Sequence, residues 1–307
     1  MKVSTSQIFE RAMTQMSSQQ AKVSDLQTQL ATGKQILRPS DSPDKAGVIQ
    51  RLNTAYNRLE SYGDNISAVR SRLDAEEAAL MTSENVLQRV RELAVRASND
   101  TLSQDDRQII STEVKALRDQ MLSLANSRDS NQNYVFAGSM ARTVPFAEDA
   151  SGVTTYQGDD SLVMVNVSDQ RQLTLNRPGS EVFSSLIRVD ESGVSERVGF
   201  FAALDDFTEA LDNNDSEEIG RGLAEVSEMT QSMALSLADM GSRLSIVDAQ
   251  VDVLSETKLR YQAMLSDAED LDYAEAITKL TAEIMSLEAG QSSFVKISQL
   301  SLFDYLR

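Results

Sequence analysis

The sequence predicts a mainly α-helical protein, in which N- and C-terminal arms form a long antiparallel coiled-coil bundle around a small inserted β-rich domain. Apolar residues recur at alternating spacings of three and four in both halves of the chain, which is the pattern of a narrow helical stripe. Pro and Gly are scarce, with 4 and 13 of 307 residues. Six of these Gly and two of these Pro fall within residues 138–199, which marks the insertion.

The composition excludes many classes of chemistry. The chain has no Cys, no His and no Trp, so thiolate nucleophiles, disulfides and the Ser-His-Asp triad are ruled out. A formal charge of −18 disfavours nucleic-acid binding, which needs clustered Lys and Arg. We also expect no cofactor, no metal and no enzymatic activity. The N-terminus lacks the apolar core of a signal peptide, and no window approaches 18 consecutive apolar residues, so no membrane span is expected.

The first helix is predicted from an apolar stripe in which Gln20 and Gln27 occupy two positions. Its apolar members are Phe9, Met13, Met16, Val23 and Leu30. Gly33 is expected to end this helix and to begin an extended link. Ser42 followed by Pro43 resembles an N-cap and a first helical residue, so a second helix is expected to begin there.

Residues 64–137 contain neither Gly nor Pro, which predicts long helices. The apolar face of the first comprises Ile66, Val69, Leu73, Leu80, Leu87, Val90 and Ala94. Ser103 and Asp106 resemble a capping box that starts the next helix. That helix repeats the pattern with Ile110, Val114, Leu117, Met121 and Leu124.

The insertion contains short runs rich in β-branched residues, at 153–156, 162–167 and 172–175. Helices are expected to resume near Phe200. The returning stripe comprises Leu244, Val247, Val251, Leu254, Lys258, Tyr261 and Leu265. It continues, after a phase shift near 270–273 that we interpret as a stutter, with Ile277, Leu280, Ile284, Leu287 and Phe294.

Three groups of residues could be taken for binding or catalytic sites. The carboxylates of 267–275 lack the Gly and the spacing of a calcium loop, so a solvated or interhelical patch is the better interpretation. Gly33-Lys34 lacks the upstream Gly and the following Ser or Thr of a phosphate loop. The arginines between Arg70 and Arg96 alternate with Glu, which favours pairing within the helix, although they could also complement the acidic residues of the returning arm.

Two separated motifs resemble the bacterial flagellin family. Residues 30–44 (LATGKQILRPSDSPD) resemble the N-terminal link of that family, and residues 268–277 (AEDLDYAEAI) resemble its C-terminal counterpart. Residues 133–139 (NYVFAGS) and the ending 301–307 (SLFDYLR) resemble the hook–filament junction members of the family. The resemblance covers about the whole chain and is weakest in the insertion.

The resemblance implies three regions. Residues 1–43 plus 260–307 would form a terminal coiled-coil assembly region that is disordered in isolation. Residues 44–137 plus 200–259 would form a helical rod, and 138–199 an outer β-rich domain. The implied function is a structural adaptor ring between the hook-side layer of the junction protein FlgK and the flagellin filament. Such proteins are secreted through the flagellar type III apparatus without a cleaved signal peptide and act outside the cell.

The implied partners are an FlgK-like junction protein, flagellin, copies of the chain itself and the export chaperone FlgN. The residues expected at subunit interfaces are Ile8, Met13, Met16, Val23, Leu26 and Leu30, facing Ile284, Leu287, Phe294, Ile297 and Leu300. The candidates for chaperone docking are Ile277, Leu280, Ile284, Leu287 and Phe294. Three alternatives stay open: a flagellin-type filament subunit, a carboxylate-based hydrolase in the insertion, and a cytoplasmic coiled-coil signalling protein.

Overall fold

A computed structural model describes residues 5–150, 152–189 and 195–305. Its helices are α1 (Thr5–Thr32), α2 (Pro43–Ala97), α3 (Gln104–Ala125), α4 (Gly179–Val182), α5 (Phe200–Asp212), α6 (Ser216–Glu269) and α7 (Tyr273–Tyr305). Its strands are β1 (Phe146–Glu148), β2 (Thr154–Tyr156), β3 (Met164–Asn166), β4 (Gln172–Thr174), β5 (Leu186–Val189) and β6 (Ser195–Val198). The predicted mainly α-helical class with a β-rich insertion is confirmed.

The predicted helix boundaries agree with local backbone chemistry. Gly33 follows the end of α1 with a φ of 70°, a left-handed conformation that favours glycine. Helix α2 begins at Pro43, directly after Ser42. Ser103 caps α3 in a complete capping box, in which the backbone N–H of Asp106 donates to Ser103 Oγ and that of Ser103 donates to Asp106 Oδ2.

Replacing Ser103 by Ala is expected to lower the free energy of unfolding by about 1 kcal/mol, because it leaves the N–H of Asp106 without its side-chain acceptor. The measurement is urea denaturation followed by circular dichroism. Ser123→Ala is the matched control, since Ser123 is exposed inside α3 and should be neutral or slightly stabilising. Equal effects of the two variants would contradict the prediction.

The chain divides into two compact units, residues 1–58 with 256–307 and residues 59–255. The first contains α1, α7 and the adjoining ends of α2 and α6. The second contains the remainder of these two helices, α3, α5 and the six strands. The three-region division drawn from the sequence stays a prediction.

The second unit has a continuous apolar core. All seven residues predicted for the apolar face of α2 are buried, from Ile66 to Ala94. Helix α6 contributes three buried methionines, Met229, Met233 and Met240. Methionine fills irregular space well because its side chain is unbranched and flexible. These methionines therefore serve the core of the second unit.

The insertion forms three antiparallel hairpins, β1–β2, β3–β4 and β5–β6. The runs predicted at 153–156, 162–167 and 172–175 contain β2, β3 and β4, whereas β1, β5 and β6 were not foreseen. Phe183 of the insertion packs edge to face with Phe146 of β1 and with Phe136, which lies just before the insertion. Phe201 of α5 joins the same aromatic cluster. The hairpins thus share their core with the helices.

The prediction of helix as far as residue 137 is wrong, since α3 ends at Ala125. The following turn is held by side chains instead. The Asp129 carboxylate accepts the backbone N–H groups of Asn131 and Asn133 at 2.8 and 2.9 Å. Arg72 donates to Asp129 and to the carbonyls of Tyr134 and Val135, at 2.6–2.9 Å. Local Asx hydrogen bonds compete with helix formation, which ends the helix here.

Two features of the returning arm also differ from expectation. Val251 was predicted to lie on the buried stripe, but it is exposed. Its neighbour Gln250 is buried instead. The phase shift at 270–273 is a break between α6 and α7 and not a stutter inside one helix. The carboxylate of Asp272 accepts the N–H groups of Ala274 and Glu275 at 2.9 and 3.1 Å, so it caps the new helix.

The arginines of α2 have several kinds of partner. Arg70 pairs with Asp248 of α6 at 3.1 Å, as the alternative of complementary arms predicts. Arg89 pairs with Glu92 of its own helix and with Glu113 of α3. Arg72 is buried against the turn at 129–135, so intrahelical pairing is wrong for this residue.

Candidate assembly surface

Helices α1 and α7 run antiparallel and contact each other along their length. Phe9 and Phe294 meet edge to face with ring centroids 5.3 Å apart. Gln19 Nε2 donates to Ser286 Oγ at 2.6 Å. Lys22 Nζ lies 3.7 Å from Glu283 Oε1. The pairing of the two ends of the chain is therefore stabilised by both apolar and polar contacts.

The predicted interface residues lie mostly on the contact line between these helices. Those that are half-buried are Met16, Val23, Leu26, Leu30, Ile284, Leu287 and Phe294. Met13 is 59% exposed, so within the chain it is less covered than the others, and its place in a subunit interface stays a prediction. The side chains of Ile8, Ile297 and Leu300 lie outside the described residues, as does the ending 301–307 apart from its helical backbone as far as residue 305. Whether these residues form subunit interfaces stays a prediction.

The two motifs that carry the family resemblance contact each other. Lys34 and Asp270 form an antiparallel bridge. The N–H of Gln35 donates to the carbonyl of Glu269 at 2.7 Å, and the N–H of Leu271 donates to the carbonyl of Gly33 at 2.9 Å. Lys34 Nζ adds an ion pair with Glu269 Oε2 at 2.8 Å. The extended link and the break between α6 and α7 therefore form one hydrogen-bonded junction.

The close approach at this junction depends on glycine. A Cβ at position 33 would lie 2.8 Å from Tyr273 Oη, and the positive φ there is unfavourable for other residues. Gly33 thus allows the first residue of α7 to pack against the end of α1. This gives the LATGK sequence of the link a structural role.

The first unit lacks an apolar core. Among its described side chains only Ala276 is buried, at 3% exposure. Large apolar side chains remain uncovered on every helix, namely Met13, Val48, Leu259, Met264, Ile277, Met285 and Val295. Covering such surface yields about 25 cal/mol per Å². The helices of this unit leave part of their apolar surface uncovered, so packing of further apolar surface on it would stabilise it.

An open groove of about 810 Å³ lies beside the extended link. The apolar part of its wall comprises Ile36, Leu37, Pro39, Pro43, Ala46 and Ile49. The charged residues of the wall are Arg38 and the paired Lys34 and Glu269. Large apolar grooves in exposed positions mark sites of protein association more often than free surface.

The charge of the chain is divided sharply between the two units. Residues 1–58 and 256–307 carry 13 basic and 13 acidic side chains, whereas residues 59–255 carry 16 and 34. The whole net charge of −18 therefore belongs to the second unit. The first unit is therefore neutral as a whole, whereas the second is strongly acidic.

The acidic cluster at 267–275 has structural partners. Glu269 pairs with Lys34, Glu275 pairs with Lys279 at 2.7 Å, and Asp270 accepts a hydrogen bond from Ser266. Within the described part of the chain, no three side chains of metal-binding type are grouped. None of the described helices is long and apolar enough to cross a bilayer.

The structure identifies functional candidates that the sequence pattern missed. Gln19 lies on the contact line of α1, where the predicted stripe placed Gln20. Counting back by three and four from Leu30 through Leu26 and Val23 reaches Gln19 and Met16. This signal was present in the sequence, but the polar residue at position 19 obscured it.

Comparisons with known proteins find similarity to flagellar proteins. The family model described as "Bacterial flagellin N-terminal helical region" matches residues 3–141. The chain is 27% identical to flagellar hook-associated protein 3 of Salmonella typhimurium, with 100% of both chains covered. It is 28% identical to the protein of the same name from Escherichia coli, with 99% of both covered. The crystal structure of FlgL from Xanthomonas campestris shares the fold, with a TM-score of 0.63 at 22% identity over 70% of this chain and 99% of that one.

Proposed function

We propose that the chain is a member of the bacterial flagellin family and a structural adaptor of the bacterial flagellum at the hook–filament junction, because a flagellin family model matches residues 3–141 and two hook-associated proteins 3 match it over almost their full length. It forms one ring of subunits between the hook-side FlgK layer and the flagellin filament. It has no catalytic role. The observation that supports this proposal best is the contrast between a second unit with a complete core and a first unit with almost none.

A ring of identical subunits requires one face of a subunit to bind a different face of the next. The first unit offers two such faces. One is the groove beside the extended link, and the other is the exposed apolar side of α7, which includes Ile277 and Met285. A second copy of the chain that packs on both covers the surface left open in the isolated subunit.

The same helix supplies the chaperone site. An FlgN-type chaperone binds α7 before export along Ile277, Leu280, Ile284, Leu287 and Phe294, as an amphipathic helix binds in a groove. Ile277 is 53% exposed, and the other four are half-buried on the helix that packs against α1. Chaperone binding therefore competes with the pairing of α1 and α7 and keeps the chain unassembled.

The chain acts outside the cell after export in an unfolded state through the flagellar type III apparatus. The absence of cysteine from the sequence is compatible with this route, because disulfides would obstruct threading. The long helices of both units re-form without covalent crosslinks.

The deciding experiment is deletion of the gene in the source bacterium, followed by complementation with wild type or with Leu287→Glu. The deletion is expected to leave hooks without filaments and unpolymerised flagellin in the medium. Leu287→Glu is expected not to restore filaments, because burying an unpaired carboxylate at the helix contact costs several kcal/mol. Electron microscopy of the cells gives the result.

Ser292→Glu is the matched control, since it adds the same charge at an exposed position of α7. It should restore filaments, and both purified variants should remain soluble and helical by circular dichroism. Filaments of normal length in the deletion strain would overturn the junction role. Normal filaments with Leu287→Glu would overturn the role of the terminal contact line.

Stoichiometry separates this function from that of a bulk filament subunit. A junction protein is present in sheared filaments at about one ring per filament, whereas flagellin is their main component. Quantitative mass spectrometry of sheared filaments therefore distinguishes the two. A ratio near that of flagellin would favour the filament subunit.

A further inference from the structure

Glu76 occupies a core position of α2. It lies at the heptad spacing between Leu73 and Leu80, and its exposed fraction is 0%. Neither carboxylate oxygen has a hydrogen-bond partner among the described residues. Ser83, one heptad further along, is also buried with its hydroxyl unpartnered. A buried carboxylate without hydrogen bonds is costly in its charged form, so this position calls for an explanation beyond packing.

The charged groups that face Glu76 come from three elements. Helix α6 provides Arg243 and Asp239, α2 itself provides Arg72, and the segment before α4 provides Arg177. Arg72 is committed to Asp129 and to two backbone carbonyls. Arg177 lies within 3.6 Å of Glu181 and within 3.4 Å of Asp239. Arg243 is therefore the cation whose position can change when Glu76 gains or loses its proton.

Arg243 lies between two acceptors. Its Nη1 is 3.7 Å from Glu76 Oε1, which is beyond hydrogen-bonding distance. Its Nη2 donates to the carbonyl of Thr174 at 3.1 Å. Thr174 is the last residue of β4, so Arg243 connects α6 to hairpin β3–β4. Full engagement with the carboxylate would require the guanidinium to move towards Glu76.

Hairpin β3–β4 is held by hydrogen bonds at both ends, in addition to the packing of Val165, Val167 and Leu173 on the core. Each strand has three residues, and a two-stranded hairpin of this size is marginally stable by itself. The end near the turn is attached to α2, where Asn65 Nδ2 donates to the carbonyl of Asn166 at 2.8 Å and Tyr62 Oη donates to Asp169 at 2.7 Å. The bond from Arg243 attaches the other end.

We propose that Glu76 and Arg243 form a proton-operated latch that attaches hairpin β3–β4 to the helices. When Glu76 carries its proton, Arg243 stays on the Thr174 carbonyl and the hairpin is held at both ends. When Glu76 loses its proton, the negative charge draws the guanidinium onto the carboxylate, and β4 loses its tether. The hairpin then opens more often from that end, while the bonds from Tyr62 and Asn65 persist.

The latch is poised near neutral pH. Burial raises the pKa of Glu76 to about 7, against the lowering effect of Arg243, Arg177 and Arg72. The tethered state therefore prevails in mildly acidic solution, and the released state prevails in mildly alkaline solution. The device makes the mobility of one hairpin of the insertion sensitive to the pH around the protein.

The test is amide hydrogen exchange of residues 162–176 in the full chain, from about pH 5.5 to about pH 8, corrected for the intrinsic pH dependence of exchange. The wild type is expected to exchange roughly tenfold faster at the alkaline end after this correction, since one hydrogen bond to a charged donor is lost. Glu76→Gln should remain slow throughout, because its amide cannot ionise. Arg243→Gln should be fast throughout.

Glu77→Gln serves as the matched control, since it removes the neighbouring carboxylate outside the buried face and should keep the wild-type pH dependence. A carbon-13 titration of the glutamate side chains in the wild type provides a second readout that needs no substitution. Corrected exchange that does not change with pH would overturn the latch. So would an apparent pKa of Glu76 near that of an exposed glutamate.

Discussion

Replacement of Arg118 by alanine is expected to lower the free energy of unfolding by about 3 kcal/mol, because one buried guanidinium joins four elements of the second unit. Arg118 lies on α3, and its guanidinium donates two hydrogen bonds to the carboxylate of Asp205 on α5, at 2.9 and 3.0 Å. The same group donates to Glu148 of β1 at 2.6 Å and to Thr154 of β2 at 2.8 Å.

The size of this effect follows from what the truncation leaves behind. Thr154 is buried and would lose its partner, which costs the desolvation of its hydroxyl. The side chains of Asp205 and Glu148 are 42% and 47% exposed, so water can replace part of what they lose. The loss therefore falls at the lower end of the 3–5 kcal/mol typical of a broken buried pair. The stem of Arg118 also packs in the core, and that packing disappears as well.

Urea denaturation of the full chain, followed by far-UV circular dichroism, measures this change. Arg91→Ala is the matched control, since Arg91 is exposed on α2 and its loss should change stability by less than about 0.5 kcal/mol. If the two variants unfold at the same urea concentration, then Arg118 does not join the insertion to the helices in the way described.

The apolar face of α2 is predictable from the sequence because burial in the second unit is complete. Each of the seven residues chosen at spacings of three and four is buried. The two gaps in that heptad, Glu76 and Ser83, are buried too. The periodicity places both in the core, although Glu76 is one of the glutamates that the sequence suggested would pair with arginines along the helix. The position in the heptad repeat therefore predicts burial better than the polarity of the side chain does.

The terminal contact line is less predictable for a physical reason. Helix α1 packs against α7 along a narrow line, and a narrow line constrains the phase of the pattern weakly. Met13 and Met16 lie on either side of a boundary between exposed and half-buried, and the sequence cannot tell them apart. The contact between the two family motifs was also not predictable from spacing, because the bridge between Lys34 and Asp270 joins positions far apart in the chain.

The strands illustrate a limit set by length. Strand β1 was not predicted, because it has three residues and alternation over so few positions resembles any irregular segment. It forms because Phe146 enters the aromatic cluster with Phe183 and Phe201. That requirement comes from the core of the whole unit and is not visible in the local sequence.

The stability of the second unit is expected to depend on pH through Glu76, and Glu76→Gln should abolish this dependence. The pKa of Glu76 is about 7 in the folded chain and 4.5 for an ordinary glutamate. The folded state therefore holds this proton more tightly than the unfolded state does. The stabilisation is fully present below pH 4.5 and is lost as the pH rises through about 7.

The difference between the two pKa values corresponds to about 3 kcal/mol, since each pKa unit is worth about 1.4 kcal/mol. Other carboxylates also titrate, so the informative quantity is the difference between wild type and variant at each pH. Well below pH 4.5 the two proteins should have nearly equal free energies of unfolding, because position 76 is then neutral in both the folded and the unfolded state. At about pH 8 Glu76→Gln should be more stable by up to about 3 kcal/mol, because only the wild type must bury a charge there. Urea denaturation at several pH values measures this difference in the free energy of unfolding. A difference that does not change with pH would show that Glu76 is ionised to the same extent in the folded and the unfolded state.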